Sequence, residues 1–250
     1  MILDSHALLG EALRRRPECS VLAMSYVLPE PLAAHTGEVR FYGAYPAEAP
    51  RARAFSATVE TPDSALLATL ETDVAGPARA PFDIIYLHHH RGADRITRAL
   101  NALLRWADEE TVFVLPGAAP RDPALTGPKP TFAWFAGEVW LLPEALRAAG
   151  KSFAVLTSDL PNLGLLLARG FQPLAPGAVA EAGTRLAGVR ADPKRFQSFR
   201  RHASVSELLT LLGAPPPPRR PSPPGLTEVV IEPHAPDVVR SDVIEAAQVW

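Results

Sequence analysis

One apolar segment limits what this chain can fold into more than any other feature. Phe82-Asp83-Ile84-Ile85-Tyr86-Leu87 is uninterrupted in its apolar character after Asp83. Such a strand is typical of a parallel sheet that is covered on both faces. Residues 94–107 follow with apolar side chains at helical spacing, and Thr111-Val112-Phe113-Val114-Leu115 reads as a second buried strand. This order of strand, helix and strand predicts an α/β protein.

Other segments extend the same alternation along the chain. The patterns predict helices over residues 2–16, 61–70 and 137–149, and strands over 20–28, 38–42, 54–59, 153–157 and 164–168. The turn at Ser158-Asp159-Leu160-Pro161-Asn162 is so short that the last two strands are expected to pair antiparallel. The predicted architecture is a three-layer α/β sandwich with a mostly parallel sheet and a terminal antiparallel hairpin.

Proline marks the end of the packed domain. The chain has 27 prolines, and the densest group lies in residues 214–224, where an extended polyproline-like linker is expected. We predict an α/β domain over residues 1–190, a C-terminal helix in 191–213, the linker in 214–224 and a tail in 225–250. The helix should cover 193–212 and break near His202. The linker is either a stiff spacer or a ligand for a proline-recognising domain.

Charge and cysteine content exclude several classes of function. A formal net charge of −2 argues against sequence-independent binding of nucleic acid, because such binding needs a basic face. No apolar run is long enough to span a bilayer, so membrane insertion is not expected. With Cys19 as its one cysteine, the chain can form no internal disulfide and no cysteine-based zinc site. We expect a cytoplasmic protein that needs no metal, and its arginine-rich, lysine-poor composition suggests a bacterial source.

Four segments in this order resemble class I S-adenosylmethionine-dependent methyltransferases, over residues 54–170. They are the strands 82–87 and 111–115, the segment Trp134-Phe135-Ala136-Gly137-Glu138-Val139-Trp140, and Asn162-Leu163-Gly164-Leu165-Leu166. The last two are similar to the segment that opens a late helix in some members and to the start of the final strand. The resemblance implies a Rossmann-like methyltransferase fold with S-adenosylmethionine as the cofactor.

The chain departs from this family at three places. Members carry an acid and a glycine-rich turn after the first strand, but here no glycine occurs between Leu22 and Thr36. His88-His89 stands where the family has Asp-Gly, and Pro116-Gly117 stands where it has acids. Because all three changes fall on one predicted edge of the sheet, they favour a degenerate pocket.

The same comparison nominates site residues at the carboxyl edge of the sheet, where α/β proteins bind ligands. His88 and His90 are candidate general bases, although a histidine cluster at a strand end is also an ordinary polar loop. The candidate cofactor contacts are Ser25, Asp63 and Ser64, of which the last two would otherwise form the first turn of a helix. The candidate substrate or partner surface comprises Trp134, Glu138 and Trp140, although such aromatic residues are also common in a core.

Two functions remain open on the sequence. The first is a methyltransferase-fold pseudoenzyme that acts in binding or assembly. The second is an active methyltransferase that modifies a sugar or a small metabolite. In either case the C-terminal tail is the candidate contact for a protein partner or for a second copy of the chain.

Overall fold

A seven-stranded sheet forms the centre of the computed structural model, which describes residues 5–25, 29–43, 55–58, 81–88, 92–120, 122–126, 136–149, 154–158, 164–170, 172–199 and 203–213. The strands are β1 (Val21–Ser25), β2 (Val39–Gly43), β3 (Phe55–Thr58), β4 (Ile84–His88), β5 (Val112–Pro116), β6 (Ala154–Ser158) and β7 (Leu165–Arg169). Their order in the sheet is β3-β2-β1-β4-β5-β7-β6.

The direction of the strands confirms the predicted topology. The pairs β1–β2, β2–β3, β1–β4 and β4–β5 are parallel. In contrast, β7 runs antiparallel to both of its neighbours, β5 and β6. The sheet is therefore mostly parallel and ends in the antiparallel hairpin that the short turn after residue 158 predicts.

Seven α-helices accompany the sheet among the described residues. They are α1 (Ser5–Arg15), α2 (Glu30–Ala33), α3 (Ala93–Leu103), α4 (Leu142–Ala148), α5 (Ala178–Ala191), α6 (Pro193–Phe199) and α7 (Val205–Leu211). Single 3-10 turns occur at Leu104–Trp106, Pro123–Leu125 and Val139–Leu141. None of the described helices is long and apolar enough to cross a bilayer.

The strands alternate their side chains between two apolar clusters, one on each face of the sheet. On the first face, Leu22, Ile85 and Phe113 pack with residues of α3, α4, α5 and α6. On the second face, Ala23, Ile84 and their neighbours pack with residues of α1, α2 and α7. Helices on both faces of the sheet produce the three-layer sandwich that the sequence predicts.

The C-terminal helix predicted over residues 193–212, with a break near His202, is two helices, and they pack on opposite faces of the sheet. Phe196 of α6 is buried in the cluster on the first face. Leu208 of α7 is buried in the cluster on the second face. A capping box starts α7, because the Ser204 hydroxyl accepts from the Glu207 backbone N–H while the Glu207 carboxylate accepts from that of Ser204.

Helices α2 and α5 have no counterpart among the elements that the sequence predicts. Helix α5 was not predicted, because its buried positions include alanine and supply only a weak apolar stripe. The helix predicted at 61–70 and the segments 214–224 and 225–250 lie outside the described residues.

Candidate functional site

The ends of β1, β4 and β5 form one edge of the sheet, and Ser25 and His88 face each other there. The two residues are paired in register between β1 and β4. His88 and Pro116 each lie two residues beyond the paired Tyr86 and Val114. Ser25, His88 and Pro116 therefore lie in one row across the carboxyl edge. Ser25 is buried, with 3% of its surface exposed, and His88 is half-buried.

A histidine from the first helix lies close to this edge of the sheet. His6 of α1 has its Nε2 atom 3.2 Å from the Tyr86 hydroxyl. Tyr86 is fully buried, and its ring meets that of His88 edge-on at a centroid distance of 6.2 Å. Strand periodicity places Tyr86 and His88 on the same face. The second face thus carries a polar cluster of His6, Ser25, Tyr86 and His88 at the carboxyl edge.

The connection after β1 differs from a ligand-binding turn. Its helix, α2, has only four residues and is preceded by Pro29. Pro31 offers no backbone N–H, and Glu30 brings a negative charge to the first turn. Every residue from Leu22 to Thr36 carries a Cβ, so none of these positions offers the close backbone approach that glycine allows.

The loop after β5 is apolar and packed. Residues 116–120 are all buried, and none of them carries a charge. Gly117 has a φ of 90°, which favours glycine, and its N–H donates to the Gly164 carbonyl at 2.9 Å. Residues 116–120 therefore pack next to the start of β7. They supply no carboxylate to the carboxyl edge of the sheet.

Glu138 and Trp140 contact helices near this edge, α3 and α6 respectively. Oε2 of Glu138 accepts a hydrogen bond of 2.7 Å from the Ala93 N–H, at the first turn of α3. A carboxylate is favourable there because the N-terminus of a helix carries partial positive charge. Trp140 is 6% exposed and packs against Phe196 at a ring-centroid distance of 5.3 Å. Its contacts are those of a core residue, and a role toward a substrate or partner stays a prediction.

The structure places part of the predicted site. Ser25 and His88 are brought together, and Glu138 stabilises the start of the helix that follows β4. His90, Asp63, Ser64 and Trp134 lie outside the described residues. Sequence reasoning did not select His6, because its contact with Tyr86 joins residues 80 positions apart. Among the described residues, no group of three histidine, cysteine or acidic side chains is arranged to hold a metal ion.

The order of the sheet and its antiparallel seventh strand define a class I methyltransferase-like α/β fold, as the sequence resemblance implies. No protein-family model matches the chain. A search of curated proteins likewise finds no match.

Solved structures that resemble this chain include several methyltransferases. An O-methyltransferase from Bacillus cereus in complex with SAH has 13% identity and a TM-score of 0.45, covering 65% of this chain and 79% of that one. The O-methyltransferase TomG from Streptomyces achromogenes, in complex with SAM, has 18% identity and a TM-score of 0.44, with coverages of 66% and 79%. The N-methyltransferase NodS from Bradyrhizobium japonicum has 16% identity and a TM-score of 0.37, with coverages of 67% and 94%.

Proposed function

We propose that this chain keeps a methyltransferase-like fold as a scaffold for binding or assembly and does not transfer methyl groups. The connection between β1 and β2 carries this proposal. A nucleoside cofactor needs backbone N–H groups and close backbone approach at that connection. Here its first glycine is Gly37, at the far end next to β2, and the part after β1 contains a single helical turn with Glu30 and Pro31.

The end of β5 supports the same conclusion. An active site of this class needs polar or charged groups that orient the substrate beside the methyl donor. Residues 116–120 are buried, apolar or small, and join β5 to the neighbouring strand instead. The described residues at both connections are therefore a poor fit for S-adenosylmethionine and for a substrate.

Calorimetry with S-adenosylmethionine and S-adenosylhomocysteine tests this proposal directly. We expect no heat of binding at ligand concentrations up to the millimolar range. The thermal unfolding transition of the same preparation should be cooperative, which would show that the lack of binding is not a lack of folding. Binding in the micromolar range would overturn the proposal.

The polar cluster at the carboxyl edge favours a second candidate, an active methyltransferase that acts on a sugar or a small metabolite. S-Adenosylmethionine would supply an activated methyl group. His88, half-buried beside Ser25 and in ring contact with Tyr86, would accept the proton of the substrate hydroxyl. His90 is the other candidate base. The remaining rate enhancement would come from proximity and in-line orientation.

Substitution of the candidate base distinguishes this alternative. If the chain is active, His88→Ala should lower methyl transfer at least about 100-fold, the usual contribution of a general base. Its melting temperature should stay unchanged. His234→Ala in the C-terminal segment is the matched histidine control. Equal activity of both variants would remove His88 from the mechanism.

A further inference from the structure

A network of hydrogen bonds joins Arg16, Asp83, Ser20 and Leu212 at the amino edge of the sheet, opposite the candidate site. Arg16, directly after α1, donates from Nη2 to Asp83 Oδ1 at 2.8 Å. Its Nη1 donates to the Leu212 carbonyl at 3.0 Å. One guanidinium therefore connects the first helix, the start of β4 and the end of α7.

Asp83 anchors this network to a second strand. Its Oδ2 atom accepts hydrogen bonds of 2.7 Å from both the backbone N–H and the hydroxyl of Ser20. Partial burial raises the pKa of Asp83, but the hydrogen bonds from Ser20 and the charge of Arg16 outweigh it and leave the pKa below its usual range. The carboxylate is thus ionised at neutral pH and holds the guanidinium in place.

Gly213 shows how closely the end of the chain's last described helix approaches Arg16. Its φ is +69°, and a Cβ at this position would lie 2.8 Å from Nη1 of Arg16. Both facts favour glycine. The Arg16 guanidinium therefore packs against the backbone of Gly213 and also donates a hydrogen bond to the carbonyl of Leu212.

Helix α7 has little stability of its own. It has only seven residues, and isolated helices of that length are marginal in water. Its apolar side chain Leu208 is fully covered on the second face of the sheet, and Leu212, directly after the helix, is 1% exposed. Apolar burial and the network at Arg16 are therefore what keep α7 in place.

We infer that Arg16, Asp83 and the Leu212 carbonyl form a latch that holds α7 as a releasable strap over the second face. Opening the latch would uncover part of that face. The latch does not depend on whether the carboxyl edge binds a cofactor.

The latch is accessible from solvent. It borders a cavity of about 330 Å³ whose lining includes Asp108, Glu110 and Arg169. The side chains of Arg16 and Asp83 are 23% and 37% exposed. Both side chains of the latch can therefore be reached from solvent without unfolding of the sheet.

Hydrogen–deuterium exchange of the full chain, read by mass spectrometry, tests this inference. Arg16→Lys keeps the charge but cannot donate to Asp83 and to Leu212 in the same fork geometry. We expect amides of α7 to exchange about tenfold faster or more, as loss of a charged hydrogen bond predicts, while α3 is unchanged. Arg14→Lys is the matched control, because Arg14 lies in the last turn of α1, close to Arg16 in sequence, is 71% exposed and pairs with Glu11.

Gly213→Ala is a second variant that keeps the latch side chains. The new Cβ would displace the guanidinium, so α7 should again exchange faster and α3 should not. Unchanged exchange of α7 in both variants would overturn the latch. Equal acceleration of α7 and α3 would also overturn it, because that result indicates a general loss of stability.

Discussion

Cys19 illustrates at the scale of one residue how burial decides chemistry. Its thiol is fully buried, and burial raises its pKa to about 12. The nearby Arg16 lowers the pKa by less than burial raises it. The thiolate is the reactive form of cysteine, so this residue is inert in the folded protein.

Thiol alkylation measures this effect. We expect Cys19 to resist iodoacetamide in the folded state at pH 8 and to react fully in denaturant. Since the folded pKa lies above the ordinary value of 9.0, the unfolded state loses its proton first. The thiol's contribution to stability is thus complete below about pH 9 and declines above it. Rapid alkylation of the native protein would contradict this expectation.

Residues at the candidate site differ in how far sequence could locate them. Ser25 lies within the predicted strand 20–28, and His88 directly follows the predicted strand 82–87. Their pairing depends on β1 and β4 being neighbours, which strand patterns alone do not specify. His6 was missed because its hydrogen bond to Tyr86 exists only once α1 packs on the second face.

At the scale of elements, α6 and α7 show that one continuous apolar pattern can be buried against two different surfaces. Residues 193–212 have one continuous apolar character, yet Phe196 and Leu208 are buried on opposite faces of the sheet. Periodicity identifies the buried side of a helix but not the surface that it covers. The break between the two helices follows from the capping box at Ser204.

The contribution of α7 to the free energy of unfolding can be measured by shortening one buried side chain at the centre of the helix. Leu208→Ala should lower the free energy of unfolding by about 2–5 kcal/mol, because the side chain is fully buried. Thr210→Ala in the same helix is the control, with an expected change within about 0.5 kcal/mol at this exposed position. Denaturant titration gives both values. Similar small losses for the two variants would show that α7 contributes little to the fold.

For the whole molecule, the described core ends before the proline-rich segment. Leu212 is the last buried apolar residue of the described chain, and Gly213 completes the contacts with Arg16. The residues that follow are the proposed contact for a partner or for a second copy.

Deletion of residues 214–250 separates the roles of the domain and the tail. We expect the truncated chain to stay folded, because its buried core and its latch remain, and to associate more weakly with itself or a partner. Thermal unfolding and light scattering provide the two readouts. Deletion of 225–250 alone, which keeps the linker, shows which part matters. Unchanged association in both truncated chains would refute the role of the tail.

The sequence by itself determined the α/β class, the parallel core strands and the terminal hairpin. These follow from apolar periodicity and turn length, which are local properties. It also revealed the missing glycine turn, since the absence of glycine can be read directly. Only the tertiary structure decided which side chains meet at the carboxyl edge, and that Arg16 joins α1, β4 and α7. Those contacts depend on the order of strands and on the face that each helix covers, and both are set by packing between distant segments.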